Sequence, residues 1–326
     1  MNLFEGLKSN NFLVIGRVGM DLYPDPPGSK TEHATVMSVG MGGSSANIAA
    51  GIIKLGGKAA LVTSVSDDAI GRYCLQQLAQ YGIDHRYVTT VGGQARNSLA
   101  IYESRLKDHQ SVIYRNGAAD FKMTTEDVEE IDFSVYGALI TAGTVFAAEP
   151  SRSAAFRAFE LARAAGLPIL FDVDYRPYSW PSAHVAEDVL SQAAALSDAI
   201  VGNDDEFGFM SGHKDRGLRR ARELAASSAT LVVYKMGELG SITITAEAEF
   251  GTGIYPVEAL KPTGAGDSFM AGLVTSIADG YDLKRAVLRG SACASITVSK
   301  PGCAPAMADS ASLATFLSTH PGPTAP

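Results

Sequence analysis

The sequence predicts an α/β protein with a mainly parallel central sheet flanked by helices, and three observations carry that prediction. From residue 137 onward, short apolar runs alternate with helical segments, as when helices serve as crossovers between parallel strands. The runs are apolar at nearly every position, Phe12 to Ile15 being the first, as strands covered on both faces must be. Two separate stretches, residues 17–41 and 96–116, break the alternation and predict a small β appendage. With 326 residues and no repeat, low-complexity tract or linker, a single domain is expected over 1–326.

Each element follows from local chemistry. Residues 12–16 form an apolar run ending in glycine, a first buried strand. Residues 17–28 carry Asp21, Pro24, Pro26 and Pro27, and a second extended stretch lies near 35–39. Proline gives no hydrogen to a ladder, so this region belongs at an edge or outside the main sheet. Ile48, Ile52 and Leu55 at helical spacing predict a helix over 42–55. A strand follows at 59–65, then a helix at 70–81 closed by Gly82. Between 96 and 114, polar and apolar residues alternate around a charged tip at 103–110, which predicts an antiparallel pair with one exposed face. The regular part runs strand 138–142, helix 151–165, strand 168–172, helix 183–196, strand 199–201, helix 216–226 and strand 231–235. A further β stretch occupies 241–245 and an apolar helix 269–277; the tail 320–326 is expected to be disordered or lightly packed.

Composition narrows the functional classes. Hydrophobic residues make up 46% and charged residues 19%, enough for a sizeable core. A net charge of −8 with no basic stripe argues against nucleic acid and anionic membrane partners. Cys74, Cys293 and Cys303 are far apart and form no CxxC pair, so reduced thiols are expected rather than zinc. No apolar run approaches the ~18 residues of a membrane span, and residues 1–10 lack a signal-peptide core. A soluble cytoplasmic protein is expected.

The most telling segment is Lys261-Pro262-Thr263-Gly264-Ala265-Gly266-Asp267. Glycines on either side of a small residue let backbone N–H groups converge on an anion at a helix N-terminus. A carboxylate in an anion site repels its ligand, unless Asp267 takes the proton of a hydroxyl attacking phosphorus. A glycine-rich turn before a helix reads the same residues without chemistry. No GxxxxGK[ST] exists, so a P-loop is excluded, and Gly40-Met41-Gly42-Gly43 lacks the third glycine of a dinucleotide fingerprint. Three more segments follow strands at their carboxyl ends, where open sheets bind ligands. Asn203-Asp204-Asp205-Glu206 reads as a phosphate and Mg²⁺ contact or as a helix cap. Lys235 to Gly240 reads as a nucleotide turn or a hairpin, and Arg176 can clamp a carboxylate or phosphoryl group.

Together with Gly42-Gly43-Ser44-Ser45-Ala46-Asn47, these segments resemble the ribokinase-like, or phosphofructokinase-B, carbohydrate kinases over nearly the whole chain. The resemblance implies a β lid over the sugar, built from about 17–41 and 96–116, and ATP with Mg²⁺ as cofactors. It implies Asp267 as base, with the amides of Gly264, Ala265 and Gly266 as anion hole. Asn203, Glu206 (reaching the metal through water), Lys235, Gly237, Gly240 and, on a looser alignment, Ser291 fall to the nucleotide. Asp21, Gly43 and Asn47 fall to the sugar, and Arg17, Arg115 and Arg176 offer a cation to a sugar acid. Gly16-Arg17 before Asp21-Leu22, the Asp172-Val173-Asp174-Tyr175-Arg176-Pro177 stretch and Leu260-Lys261-Pro262 resemble the branch acting on 5-dehydro-2-deoxygluconate in inositol catabolism, although the Tyr-Arg-Pro element is shared with the alternative that follows. Kinases of 2-dehydro-3-deoxygluconate are the alternative, and nucleoside kinases or silent sugar-binding regulators fit less well. Many relatives hold a monovalent cation with an acidic residue where Lys261 stands, so a fixed charge is expected here instead. A homodimer through the lid is the expected protein partner.

Overall fold

Alternation along the strands assigns each apolar side chain to one of two cores. In the computed structural model, which describes residues 2–325, Phe12 and Val14 join one core while Leu13 and Ile15 join the other. The same split recurs at Ile140 against Leu139, Val201 against Ile200, and Val233 against Val232. Each buried side chain of this size contributes about 1.5–3 kcal/mol, which is why such strands occupy the middle of a layered fold.

Thirteen strands are present among the described residues: β1 (Asn11–Ile15), β2 (Gly19–Asp25), β3 (Val36–Gly42), β4 (Lys58–Ser66), β5 (Asp84–Val91), β6 (Leu99–Tyr102), β7 (Ser111–Tyr114), β8 (Ala138–Ala142), β9 (Ile169–Asp172), β10 (Ala199–Asn203), β11 (Leu231–Lys235), β12 (Ser241–Ile244) and β13 (Glu249–Thr252). Nine of them form the main sheet in the order β13-β12-β11-β10-β9-β8-β1-β4-β5. All neighbours from β11 to β5 are parallel, while β12 and β13 are antiparallel additions at one edge. A separate four-stranded sheet runs β3-β2-β6-β7.

The helices are α1 (Leu3–Leu7), α2 (Ser44–Lys54), α3 (Ala69–Tyr81), α4 (Thr125–Glu129), α5 (Ser151–Ala164), α6 (Ala183–Ala195), α7 (Asp204–Phe209), α8 (Gly217–Ser227), α9 (Ala265–Ala278), α10 (Leu283–Val298) and α11 (Ser310–Thr319). Buried residues of α2, α9 and α10 pack in the first core, and those of α5, α6 and α8 in the second. The sheet is therefore covered on both faces, as its apolar strands require.

Several expectations need revision. Residues 17–28 lie outside the main sheet, as expected, but they contain a true strand, β2, in the interior of the small sheet. Pro24 is tolerated because β6 pairs only with Met20 to Leu22, so beyond Leu22 the strand has one neighbour, β3. Strand β5 is an addition to the expected elements: its residues are mostly half-exposed at the outer edge and carry little apolar periodicity. Elements β13, α10 and α11 are further additions. Helix α9 begins at Ala265 rather than 269, which brings Asp267 into its first turn. The tail is lightly packed, the second of its expected states: its described residues are exposed, while Thr324 N–H donates to the carbonyl of Ile254 at 2.8 Å and Ile254 N–H donates to Thr324 Oγ1 at 3.0 Å. Pro326 of that tail lies outside the described residues.

Candidate active site

The carboxyl ends of β9, β10 and β11 deliver Asp172, Asn203 and Lys235 to one edge of the sheet, where Asn203 lies in register with Lys235 and Val201 with Asp172. The N-terminus of α9 faces the same edge. Gly264 caps this helix with φ +81, a backbone conformation that an L side chain adopts only under strain. A Cβ on Gly264 would also lie 3.3 Å from both Cys303 Sγ and Thr297 Cγ2. A Cβ on Gly266 would lie 3.3 Å from Lys235 Nζ and 3.8 Å from Asp172 Oδ2. The lysine ammonium therefore stands directly over the glycine turn, beside the first helical N–H groups, which have no partner within the helix. Positive charge and free donors converge as a phosphate oxygen would need.

Asp267 sits half-buried at this turn, and Asn47 Nδ2 of α2 donates to its Oδ2 at 2.8 Å. Burial and the neighbouring Asp174 push its carboxyl up to about 7, against the opposing pull of Asn47, Arg176 and Lys235. An acid so tuned accepts a proton near neutrality. Asn47 is placed by the entry of α2, whose cap is Gly43 at φ +100. A Cβ on Gly43 would lie 2.4 Å from the carbonyl oxygen of Arg17, so the two chain segments meet backbone to backbone only because position 43 is glycine.

Around this point the acidic groups form a charged ring. Asp172 is raised by burial and by Glu206, Asp174 and Asp267, although Lys235 opposes the shift. Asp174 takes φ +36, unusual for a non-glycine residue, and its Oδ1 pairs with Arg176 Nη2 at 2.7 Å. Neither Asp172 nor Asp174 stood among the expected site residues. The positive φ that aims Asp174 inward leaves no mark in composition.

Asn203 and Glu206 realise the helix-capping alternative in full. Asn203 Oδ1 accepts from Glu206 N, and Glu206 Oε2 accepts from Asn203 N, both at 2.8 Å. Glu206 Oε1 also accepts from Tyr175 N at 3.3 Å and lies 4.0 Å from Arg176 Nη1. Among the described residues, no set of three His, Cys, Asp or Glu side chains is disposed to hold a metal ion. A hard cation here would be carried by phosphate oxygens and water, as Mg²⁺ commonly is. The hairpin reading of Lys235 to Gly240 is also realised, since β11 and β12 pair antiparallel across a short 3₁₀ turn, Gly237–Leu239. Gly237 faces open space, whereas a Cβ on Gly240 would lie 2.0 Å from the carbonyl oxygen of Thr252.

On the other side, the small sheet presents Asp21, buried at 1% exposure, with Tyr23 donating to its Oδ2 at 3.0 Å. Its Oδ1 is buried with no hydrogen-bond partner, and burial, opposed by Arg17, pushes the carboxyl up to about 6. Arg17 and Arg115 are both buried, while Arg176 is half-exposed. Lys261 is buried at 1% exposure, and its Nζ donates to the carbonyls of Thr263 at 2.6 Å and Thr297 at 3.2 Å. Ser291 lies buried in α10, which packs against α9, and makes no hydrogen bond to the ring just described.

Comparison with known proteins bears on the family and the fold. The model of the pfkB family carbohydrate kinases matches residues 9–310. A 5-dehydro-2-deoxygluconokinase of Photobacterium profundum is 37% identical, covering 94% of this chain and 95% of its own. One of Geobacillus thermodenitrificans is 35% identical over 94% and 93%. Among solved structures, a Ribokinase II from E. coli in its apo form superposes with a TM-score of 0.85 at 21% identity, over 95% and 99% of the two chains. A double mutant of fructokinase from Vibrio cholerae O395, bound to fructose, ADP and potassium ion, gives 0.83 at 23% identity over 94% and 98%. With a family model spanning most of its length and relatives of this identity, the chain belongs to the pfkB family of carbohydrate kinases.

Proposed function

We propose that the protein transfers a phosphoryl group from ATP to the primary hydroxyl of 5-dehydro-2-deoxygluconate. The observation that carries this reading is Asp267, oriented by Asn47 at 2.8 Å and raised to about 7, at the glycine-capped start of α9. The full-length relatives named 5-dehydro-2-deoxygluconokinase supply the substrate. ATP with Mg²⁺, when bound, provides the transferable phosphoryl group; an E. coli Ribokinase II has been solved with both. In this reading Asp267 Oδ accepts the hydroxyl proton as the oxygen gains nucleophilicity. The N–H groups of Gly264, Ala265 and Gly266 and the ammonium of Lys235 take up charge on the phosphate oxygens. The sheet β3-β2-β6-β7 acts as a lid whose Asp21 Oδ1 is free to accept sugar hydroxyls.

The same reading includes a homodimer through the lid, whose strands expose Val36, Val39, Val112 and Tyr114, and light scattering tests it. It also includes a cytoplasmic setting, which suits three free, buried thiols. Among the described residues, no helix is long and apolar enough to cross a membrane. The deciding experiment compares kcat/KM on 5-dehydro-2-deoxygluconate, 2-dehydro-3-deoxygluconate, ribose and fructose. Preference for the first supports the reading, and preference for a neutral sugar overturns it.

A further inference from the structure

Three arginines border the sugar side of the site, and the structure separates them by what each already holds. Arg115 is fully engaged. Its Nε lies 3.2 Å from Asp120 Oδ2, its Nη2 bonds the same oxygen, its Nη1 donates to Thr144 O at 3.0 Å, and its plane lies over Phe121 at 4.1 Å. Arg176 is half-exposed and paired to Asp174 at 2.7 Å. Arg17 differs from both. At 6% exposure, and among the described residues, the only hydrogen bond of its guanidinium is Nη1 to the neutral Ser98 Oγ at 2.9 Å, and no carboxylate lies within ion-pair distance of it. Burial opposes its charge, but Tyr102, Asp21, Asp120 and Asp174 act from a distance and hold its pKa above the ordinary value; none of these carboxylates bonds it directly, which leaves its fork open to a ligand's carboxylate. Near it lies a second incomplete group, Asp21 Oδ1, buried and without a donor.

The same helical turn links Arg17 to the chemistry. The carbonyl oxygen of Arg17 accepts from Ala46 N at 3.2 Å, and the next residue, Asn47, holds Asp267. A ligand spanning this turn meets a cation at one end and a base at the other. On the proposed sugar-acid reading, the geometry points to Arg17 as the residue that receives the substrate carboxylate and thereby sets the preference for acids over neutral sugars, with Asp21 taking a hydroxyl between the two ends. The substrate's carboxylate and its primary hydroxyl are at opposite ends of a six-carbon chain, which suits this order. Arg115 and Arg176 would then shape the pocket with their charges already balanced.

The test measures kcat/KM for wild type, Arg17→Met and Arg17→Lys on the acid and on its neutral primary amide, with the KM for MgATP as a check on folding. Loss of charge-assisted hydrogen bonds predicts a fall of roughly 10²–10³-fold on the acid for Arg17→Met, chiefly through KM, with the amide changed by less than about threefold. Arg17→Lys keeps the charge without the fork, so its acid-to-amide ratio falls by about tenfold and serves alone if the methionine variant fails to fold. Equal losses on acid and amide would show that Arg17 is only structural. An acid preference surviving in both variants would place the carboxylate elsewhere while leaving the sugar-acid reading intact. A wild type that prefers the amide or a neutral sugar would remove both.

Discussion

At the scale of single residues, function rests on how Asp267 is tuned. A base must have lost its proton before it can accept one, and burial beside Asp174 sets that loss at about 7. The kcat/KM profile should therefore fall about tenfold per pH unit below this value and level off above it. Asn47 donates to the carboxylate and holds the value down, so Asn47→Ala should move the acidic limb to higher pH. An unmoved limb would mean that another group controls the profile. Asp21 shows a related principle: a polar atom left incomplete inside a protein calls for a partner to complete it, and its Oδ1 has none.

At the scale of elements, the glycine-capped start of α9 and the Asn203–Glu206 cap of α7 do different work. Glu206 gives acceptors to Asn203 N and Tyr175 N, so Glu206→Ala should lower stability by about 1–3 kcal/mol, measured by urea denaturation. If Glu206 also acts on Mg²⁺ through water, the same variant needs more magnesium for half-maximal rate; an unchanged requirement would leave capping as its sole role. Lys261 forms a fixed cation on the carbonyls of Thr263 and Thr297, next to the glycine turn. Turnover should therefore be equal in potassium and sodium buffers, and strong potassium activation would contradict that view of Lys261. These elements also show what the sequence could reveal. Parallel strands and their interleaved helices were legible because burial on both faces forces unbroken apolar runs, and the glycine motif because its spacing has few other uses. Pro24 and its neighbours rightly put residues 17–28 outside the main sheet, whereas the edge strand β5 was not legible, since its half-exposed residues carry an ambiguous signal. Which arginine lacked a partner depended on tertiary contacts with Ser98, Asp120 and Asp174.

At the scale of the whole molecule, the site is built at the expense of stability. Asp21 and Asp267 titrate at about 6 and about 7 in the fold against an ordinary 3.8, and Asp172 is also raised. Between the ordinary value and these raised ones, the folded chain holds protons that the unfolded chain has released, so stability falls as pH rises through that window. The Tm of the ligand-free protein should be lower at pH 8 than at pH 5, and Asp172→Asn, which cannot ionise, should flatten the slope. A Tm rising over this range would contradict the charge placement described above. The central claim remains that Asp267 is the base of a phosphoryl transfer, and the most direct test is single-turnover kinetics of Asp267→Asn with parallel measurement of ATP affinity. Loss of the base should lower the rate roughly 10²–10⁴-fold with ATP binding unchanged or tighter. A variant that keeps more than about a tenth of the wild-type rate would contradict it.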